Sequence, residues 1–144
     1  MSQAQSRGPD CASRTRAGGS AATERHLAGG RLTTHVLDTA NGMPARGLRL
    51  TLSFLTDVGS APLKTLLTNG DGRCDAPLLE GDDLRPGWYE IAFDVGSYYA
   101  GLGRTEEDGF LGIVPVRFQV TNWQAHYHVP LLVAPFGYST YRGS

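Results

Sequence analysis

The sequence predicts an all-β domain, a two-sheet sandwich of about seven or eight short strands with one short helix, and three observations predict it. Apolar and polar residues alternate with a period of two in several segments. Clusters of Gly, Pro, Asn and Asp separate those segments, and the 3.6-residue period of an amphipathic helix is nearly absent. The 144 residues, 40% of them hydrophobic, suffice for one compact domain with a single core and are too few for two ordinary ones.

Residues 1–28 are rich in Ser, Ala, Gly, Arg and Gln, carry four Arg against one Asp and one Glu, and contain almost nothing large and apolar. Such a segment cannot offset the entropy of ordering it, so a disordered leader is expected there, and the folded domain is expected over 29–144. Gly29 and Gly30 mark its start, and Thr33-Thr34-His35-Val36-Leu37 reads as a strand. Asn41-Gly42, followed by Pro44, supplies a turn that tolerates positive φ. Leu48, Leu50, Leu52 and Phe54 alternate with Arg49, Thr51 and Ser53, which predicts a half-buried strand. Asn69-Gly70-Asp71-Gly72 is a second turn, closed by Arg73. The stretch Asp94 to Leu102 holds the one expected helix, weakened by Gly96 and Gly101. Val114, Val116, Phe118 and Val120 alternate with Pro115, Arg117 and Gln119 in a further strand, and His126 to Val133 forms the last.

A formal charge of -1 gives no extended basic surface for nucleic acid or anionic lipid, so the expected partners are small molecules or copies of the chain itself. The two cysteines, Cys11 and Cys74, lie in unlike settings, which argues against a disulfide framework and fits a reducing compartment. No apolar run approaches the roughly 18 residues of a spanning helix, and no secretory h-region is evident at the N-terminus. A cytoplasmic location is expected. The phosphate-binding Gly-x-x-x-x-Gly-Lys loop, the Gly-x-Ser-x-Gly elbow and the Cys-x-x-Cys pair are all absent, which argues against phosphoryl transfer and covalent Ser or Cys catalysis.

The most informative stretch is His126-Tyr127-His128-Val129-Pro130-Leu131-Leu132-Val133. With a strand period of two, Tyr127, Val129, Leu131 and Val133 face the core, while His126 and His128 share the opposite face, about 6–7 Å apart. On an ordinary sandwich that face meets water; a second subunit laid over it would turn the histidine row into the wall of a cleft. His35 alone reads as a hydrogen-bonded strand residue. Arg73 alone reads as solvated, but in a pocket its planar fork of donors suits a heterocycle bearing carbonyl oxygens. His-x-His with a third histidine is also the ligand set of some catalytic zinc sites. Arg73 in the same pocket would repel a dication, and no carboxylate is placed to orient the ligands, so neither metal nor cofactor is expected.

His126 to Leu132, together with Phe136-Gly137-Tyr138-Ser139-Thr140-Tyr141-Arg142-Gly143-Ser144, closely resembles the end of the transthyretin-like 5-hydroxyisourate hydrolases. The Tyr-Arg-Gly-Ser terminus separates these enzymes from transthyretin itself. Leu32 to Asp38 with Gly42-Met43-Pro44-Ala45 resembles the family's first signature, and Asp71-Gly72-Arg73 its central Arg motif. The resemblance spans residues 31–144. It implies a transthyretin-like fold of two four-stranded sheets, a homotetramer built as a dimer of dimers, and active sites in a channel between subunits. It further implies hydrolysis of 5-hydroxyisourate to 2-oxo-4-hydroxy-4-carboxy-5-ureidoimidazoline in urate breakdown, with no metal.

Carried over by position, the implied catalytic residues are His35, Arg73, His128 and Ser144, with His35, Arg73, Tyr141 and Ser144 binding substrate. His35, working with His128, takes a proton from water; Arg73 holds the ring and stabilises the oxyanion; Tyr141 and Ser144 close the pocket; His126 is structural. The sequence departs from the family pattern in the loop Gly101 to Gly112, which has Phe110-Leu111-Gly112 where Phe-Phe-Pro-Glu is frequent. It departs also at Val133-Ala134 and in the long leader. A peroxisomal address is common in eukaryotic relatives, and no convincing version of one is present. The rival readings are a transthyretin-like carrier of a small ligand, whose channel should be apolar, a plain structural sandwich, and a metal hydrolase.

Overall fold

Period-two alternation settles which way most of the long strands face, and the resulting apolar faces pack against each other as two sheets. The computed structural model describes residues 29–104 and 109–143. In chain order the elements are β1 (Arg31–Asp38), β2 (Met43–Pro44), β3 (Arg49–Thr56), β4 (Gly59–Leu67), β5 (Leu79–Glu80), β6 (Gly87–Asp94), α1 (Val95–Gly101), β7 (Ile113–Val120), β8 (His126–Ala134) and β9 (Gly137–Thr140). One sheet runs β4-β3-β6-β7. The other runs β2-β1-β8-β9, with β5 also pairing β1. The expected two-sheet sandwich with one short helix is thus the observed architecture, and the additional strands, β2 and β5, are two residues each. The expected leader over 1–28, Cys11 and Ser144 lie outside the described residues.

Pairing is antiparallel throughout except between β1 and β8, the first and last long strands, which run parallel with Thr33 opposite His128 and His35 opposite Pro130. That register fixes the site described below. Leu32 and Val36 on β1 and Tyr127, Val129, Leu131 and Val133 on β8 are buried, as the alternation requires. On β3 the alternation holds through Leu52 and then slips, with a register shift against β4 between Leu52 and Ser53. Ser53 is consequently buried, while Phe54 is only partly so and meets the buried Tyr89 edge-on, with ring centroids 5.0 Å apart.

The expected helix forms where predicted: Asp94 caps α1 by accepting from the Ser97 amide at 3.1 Å. Gly96 is needed because a Cβ there would crowd the Leu111 carbonyl oxygen at 3.2 Å, and its own amide donates to Gly112. α1 is tied to the end of β1 through Asp38, which is fully buried. Its carboxylate accepts from the amides of Ala40 and Asn41, the side chain of Asn41 and the hydroxyls of Tyr98 and Tyr99, all within 3.1 Å. Burial alone would push this carboxyl's pKa up; the hydrogen bonds from Asn41, Tyr98 and Tyr99 outweigh it and hold the group below the usual carboxylate value. Among the described residues no helix is long and apolar enough to cross a membrane.

Candidate active site

On β1 the residues that alternate with the core-facing set are Arg31, Thr33, His35 and Leu37; on β8 they are His126, His128, Pro130, which is itself covered, and Leu132. Because β1 and β8 are neighbours in parallel register, both sets share the outer face of one sheet, and His35 lies diagonally across from His128. Two further segments extend this row. Arg73 forms an isolated antiparallel bridge with His35 on one side, and Gly143 forms another with His128 on the other. Antiparallel partners present their side chains to the same face, so Arg73 joins His35 there.

The loop that delivers Arg73 is built by the turn residues. The Asn69 side-chain oxygen accepts from the amides of Asp71 and Arg73 at 2.9 and 3.2 Å, and the Asn69 amide donates to the Arg73 carbonyl at 2.7 Å. Gly72, at φ 75°, lets this loop touch β1: the Val36 amide donates to its carbonyl at 2.8 Å, and a Cβ at position 72 would stand 2.4 Å from the Val36 carbonyl oxygen. The C-terminal segment is fixed with similar closeness. The Gly143 amide donates to the His128 carbonyl at 2.7 Å, and a Cβ there would stand 2.7 Å from Cδ2 of the His128 ring. Arg142 places its guanidinium over the Tyr127 ring, 4.2 Å from the centroid, and donates to the His126 carbonyl at 3.4 Å.

Electrostatics set both site histidines the same way. Burial, and after it the positive charge of Arg73, hold the His35 pKa below the ordinary value, against a hydrogen bond with the Asp71 backbone and the Asp71 carboxylate, which pull it up. His128 is lowered by burial, then by Arg73, His35 and His126. Two neutral imidazoles beside a permanent guanidinium can accept a proton, donate a hydrogen bond and stabilise negative charge. Cys74, next to Arg73, packs partly against the core, and burial, then Asp75, push its thiol pKa up, which makes it a poor nucleophile. Among the described residues, no group of three His, Cys, Asp or Glu is arranged to hold a metal ion.

Of the residues singled out in the sequence, His35, Arg73 and His128 come together. Tyr141 does not join them. It is 58% exposed and lines a separate cleft of about 270 Å³ at the sandwich edge, with Phe118, Thr121 and Tyr127. Ser144 lies outside the described residues. Arg73 and Thr33 share a shallow pocket of about 180 Å³ with Arg31 and Cys74. A larger cavity of about 500 Å³ sits at the α1 end, lined by Tyr99, Arg104 and Phe110, and contains none of the candidate catalytic or binding residues. Thr33 is the site residue that sequence reasoning missed: its Oγ1 lies 2.8 Å from Nδ1 of His128 and 3.3 Å from Nε2 of His126. Its spacing of two from His35 placed it on the right face, but only the β1–β8 register shows what it touches.

The family model described as HIUase/Transthyretin family matches residues 32–143. A 5-hydroxyisourate hydrolase from Ralstonia nicotianae is 56% identical over 116 residues, covering 80% of this chain and 99% of the relative. Among solved structures, a Klebsiella pneumoniae 5-hydroxyisourate hydrolase is similar at TM-score 0.68 and 34% identity, covering 80% of this chain and 99% of that one. An (S)-allantoin synthase is similar at TM-score 0.76 and 45% identity, covering 81% of this chain; the chain spans 44% of that protein's length. With the family match covering the whole sandwich and both edges of the His/Arg row, the chain belongs to the HIUase/Transthyretin family.

Proposed function

We propose that His35, Arg73 and His128 are the site at which this enzyme hydrolyses 5-hydroxyisourate to 2-oxo-4-hydroxy-4-carboxy-5-ureidoimidazoline, a step of urate breakdown. The observation that carries the assignment is the convergence of two histidines of lowered pKa and one Arg on a single sheet face. His35, its pKa lowered by burial and then by Arg73, is neutral, and one of its ring nitrogens carries a lone pair. That nitrogen takes a proton from water as the water oxygen bonds to the ring amide carbon, a role worth about 10² to 10⁴ in rate. The negative charge that develops on the carbonyl oxygen falls to Arg73 and His128. The C–N bond then breaks, the leaving nitrogen receives the proton held by His35, and the new carboxylic acid loses its proton to solvent. Water has been added across one amide bond and the enzyme is restored.

The face is open in a single chain, so we further propose a homotetramer, a dimer of dimers, in which another subunit roofs it. The unpaired edge strands β7 and β9 and the exposed Phe136 and Tyr138 support such assembly. Tyr141 and Ser144 are assigned to substrate binding and closure of the pocket in that assembly. A ligand carrier would need an apolar wall where this chain has His35, Arg73 and His128.

The test is the ultraviolet decay of 5-hydroxyisourate, generated in place from urate by urate oxidase, with wild type and His128→Ala. Acceleration that the variant abolishes is expected; no acceleration by a well-folded tetramer would transfer the assignment to the carrier. Activity that vanishes with a strong chelator and returns with zinc would replace the acid-base site with a metal one.

A further inference from the structure

The His128 ring is held on two sides. Gly143 lies against its Cδ2 edge, where a side chain would collide, and Thr33 faces its Nδ1 at 2.8 Å. The same hydroxyl lies 3.3 Å from Nε2 of His126. A threonine hydroxyl has one proton to give and lone pairs to receive, so it cannot donate to both rings. The two lengths decide between them: O–H donors settle at about 2.7–2.8 Å and N–H donors to oxygen nearer 2.9–3.0 Å. The short contact fits a hydroxyl proton directed at His128, and the long one fits a His126 N–H directed at the hydroxyl oxygen. A neutral imidazole has a single N–H. If Nδ1 accepts, Nε2 must carry the proton.

We propose that Thr33 is a positioning residue: by donating to Nδ1 it locks the His128 proton on Nε2, making His128 a hydrogen-bond donor to substrate oxygen and leaving His35 as the base. This rests on the hydrolase assignment above and says which histidine does what within it. The two imidazoles are held differently. His128 spends its Nδ1 lone pair on Thr33 and offers an N–H, while His35 has no side chain as hydrogen-bond partner among the described residues. His126 is the outer member of the chain, orienting the Thr33 hydroxyl rather than touching substrate. The charged and titratable groups around His128 are His35, His126 and Arg73, with Arg31 opposite His126 on β1 and the Asp71 carboxylate on the Arg73 loop. None of them is a second hydrogen-bond partner for Nδ1 among the described residues, so its proton state is set by Thr33.

The experiment is long-range ¹H–¹⁵N correlation on the assembled, ¹⁵N-histidine-labelled protein, alongside steady-state hydrolysis by Thr33→Val and Thr33→Ser. Wild type should show His128 neutral with a protonated Nε2 and a bare Nδ1. Thr33→Val should lose about tenfold in kcat, the scale of one ordinary hydrogen bond, with KM nearly unchanged and with His128 split between tautomers. Thr33→Ser should restore both. A wild-type His128 protonated on Nδ1, or a folded Thr33→Val with unchanged kcat and tautomer, overturns the proposal. If Thr33→Val fails to fold, the wild-type spectrum and the Ser variant still decide. Absence of hydrolysis by wild type would instead sink the hydrolase assignment, while normal hydrolysis with the wrong tautomer would sink only the role of Thr33.

Discussion

The two faces of β1 carry similar chemistry to opposite ends. Inward, Thr34 donates to the Val129 carbonyl at 2.7 Å, and Asp38 fills its carboxylate with five donors. Outward, one residue from Thr34 and three from Asp38, Thr33 and His35 are only partly buried. A buried polar group must have its partners complete, because each one left empty costs roughly 1–3 kcal/mol. A group at a partly covered face can be left one partner short, and a ligand can supply the missing partner. Polarity alone therefore does not separate framework from chemistry on this strand; the completeness of the hydrogen bonding does.

His35→Ala tests the outward side with the largest effect. Turnover should fall by about 10² to 10⁴ while denaturant stability holds, since the ring is only half-buried. Asp38→Ala is the mirror experiment. Orphaned tyrosine hydroxyls and amides should lower unfolding free energy on the order of 3 kcal/mol, while turnover per folded molecule stays close to wild type; activity lost at full stability would break the distinction.

The pH dependence sharpens it. With His35 held below its ordinary 6.5 by burial and then Arg73, the acid limb of the rate should lie below that value. Arg73→Ala should move the limb part of the way back up, because burial remains, and Arg73→Lys should cut turnover without moving it, since the charge stays and the fork is lost. For stability the sign runs by group. A lowered histidine binds protons more readily when unfolded, so its contribution is lost as pH falls below 6.5. Asp38, held below 3.8, contributes stability above that value and loses it as the medium becomes more acid still. Chemical denaturation from pH 3 upward, on the order of the carboxylate range, reads both windows. The smallest effect is expected for Gly143→Ala, where a Cβ 2.7 Å from Cδ2 forces the His128 ring to move aside; turnover should drop severalfold with the fold intact.

Much of this was legible before any coordinates. The inward set on β8, the alternation on β7 and the helix after Asp94 follow from local period and capping, which need only neighbouring residues. Leu52 to Phe54 reads as unbroken alternation in the sequence, and the shift against β4 that buries Ser53 has no local signal. β2 and β5 are too short to show a period at all. His35, Arg73 and His128 could be named as candidates from residue type and resemblance, and the structure brings these three into one row. Thr33 could not, because its meaning depends on a partner 95 residues away in sequence, and a threonine on an outer strand face is ordinary. The Asp38 cluster was equally hidden, since it joins tyrosines 60 and 61 residues distant.

The parallel pairing of β1 with β8 has a temporal consequence as well. The strand that carries His35 is among the first segments of the domain to leave the ribosome, and the strand that carries His128 is nearly the last. Contacts between such distant segments form late and slowly in folding. The β4-β3-β6-β7 sheet can pair while translation continues, but the reactive face has nothing to assemble against until β8 emerges. A nascent chain stalled before His126 would be a partial sandwich with an exposed β1 edge and only half of the His/Arg row.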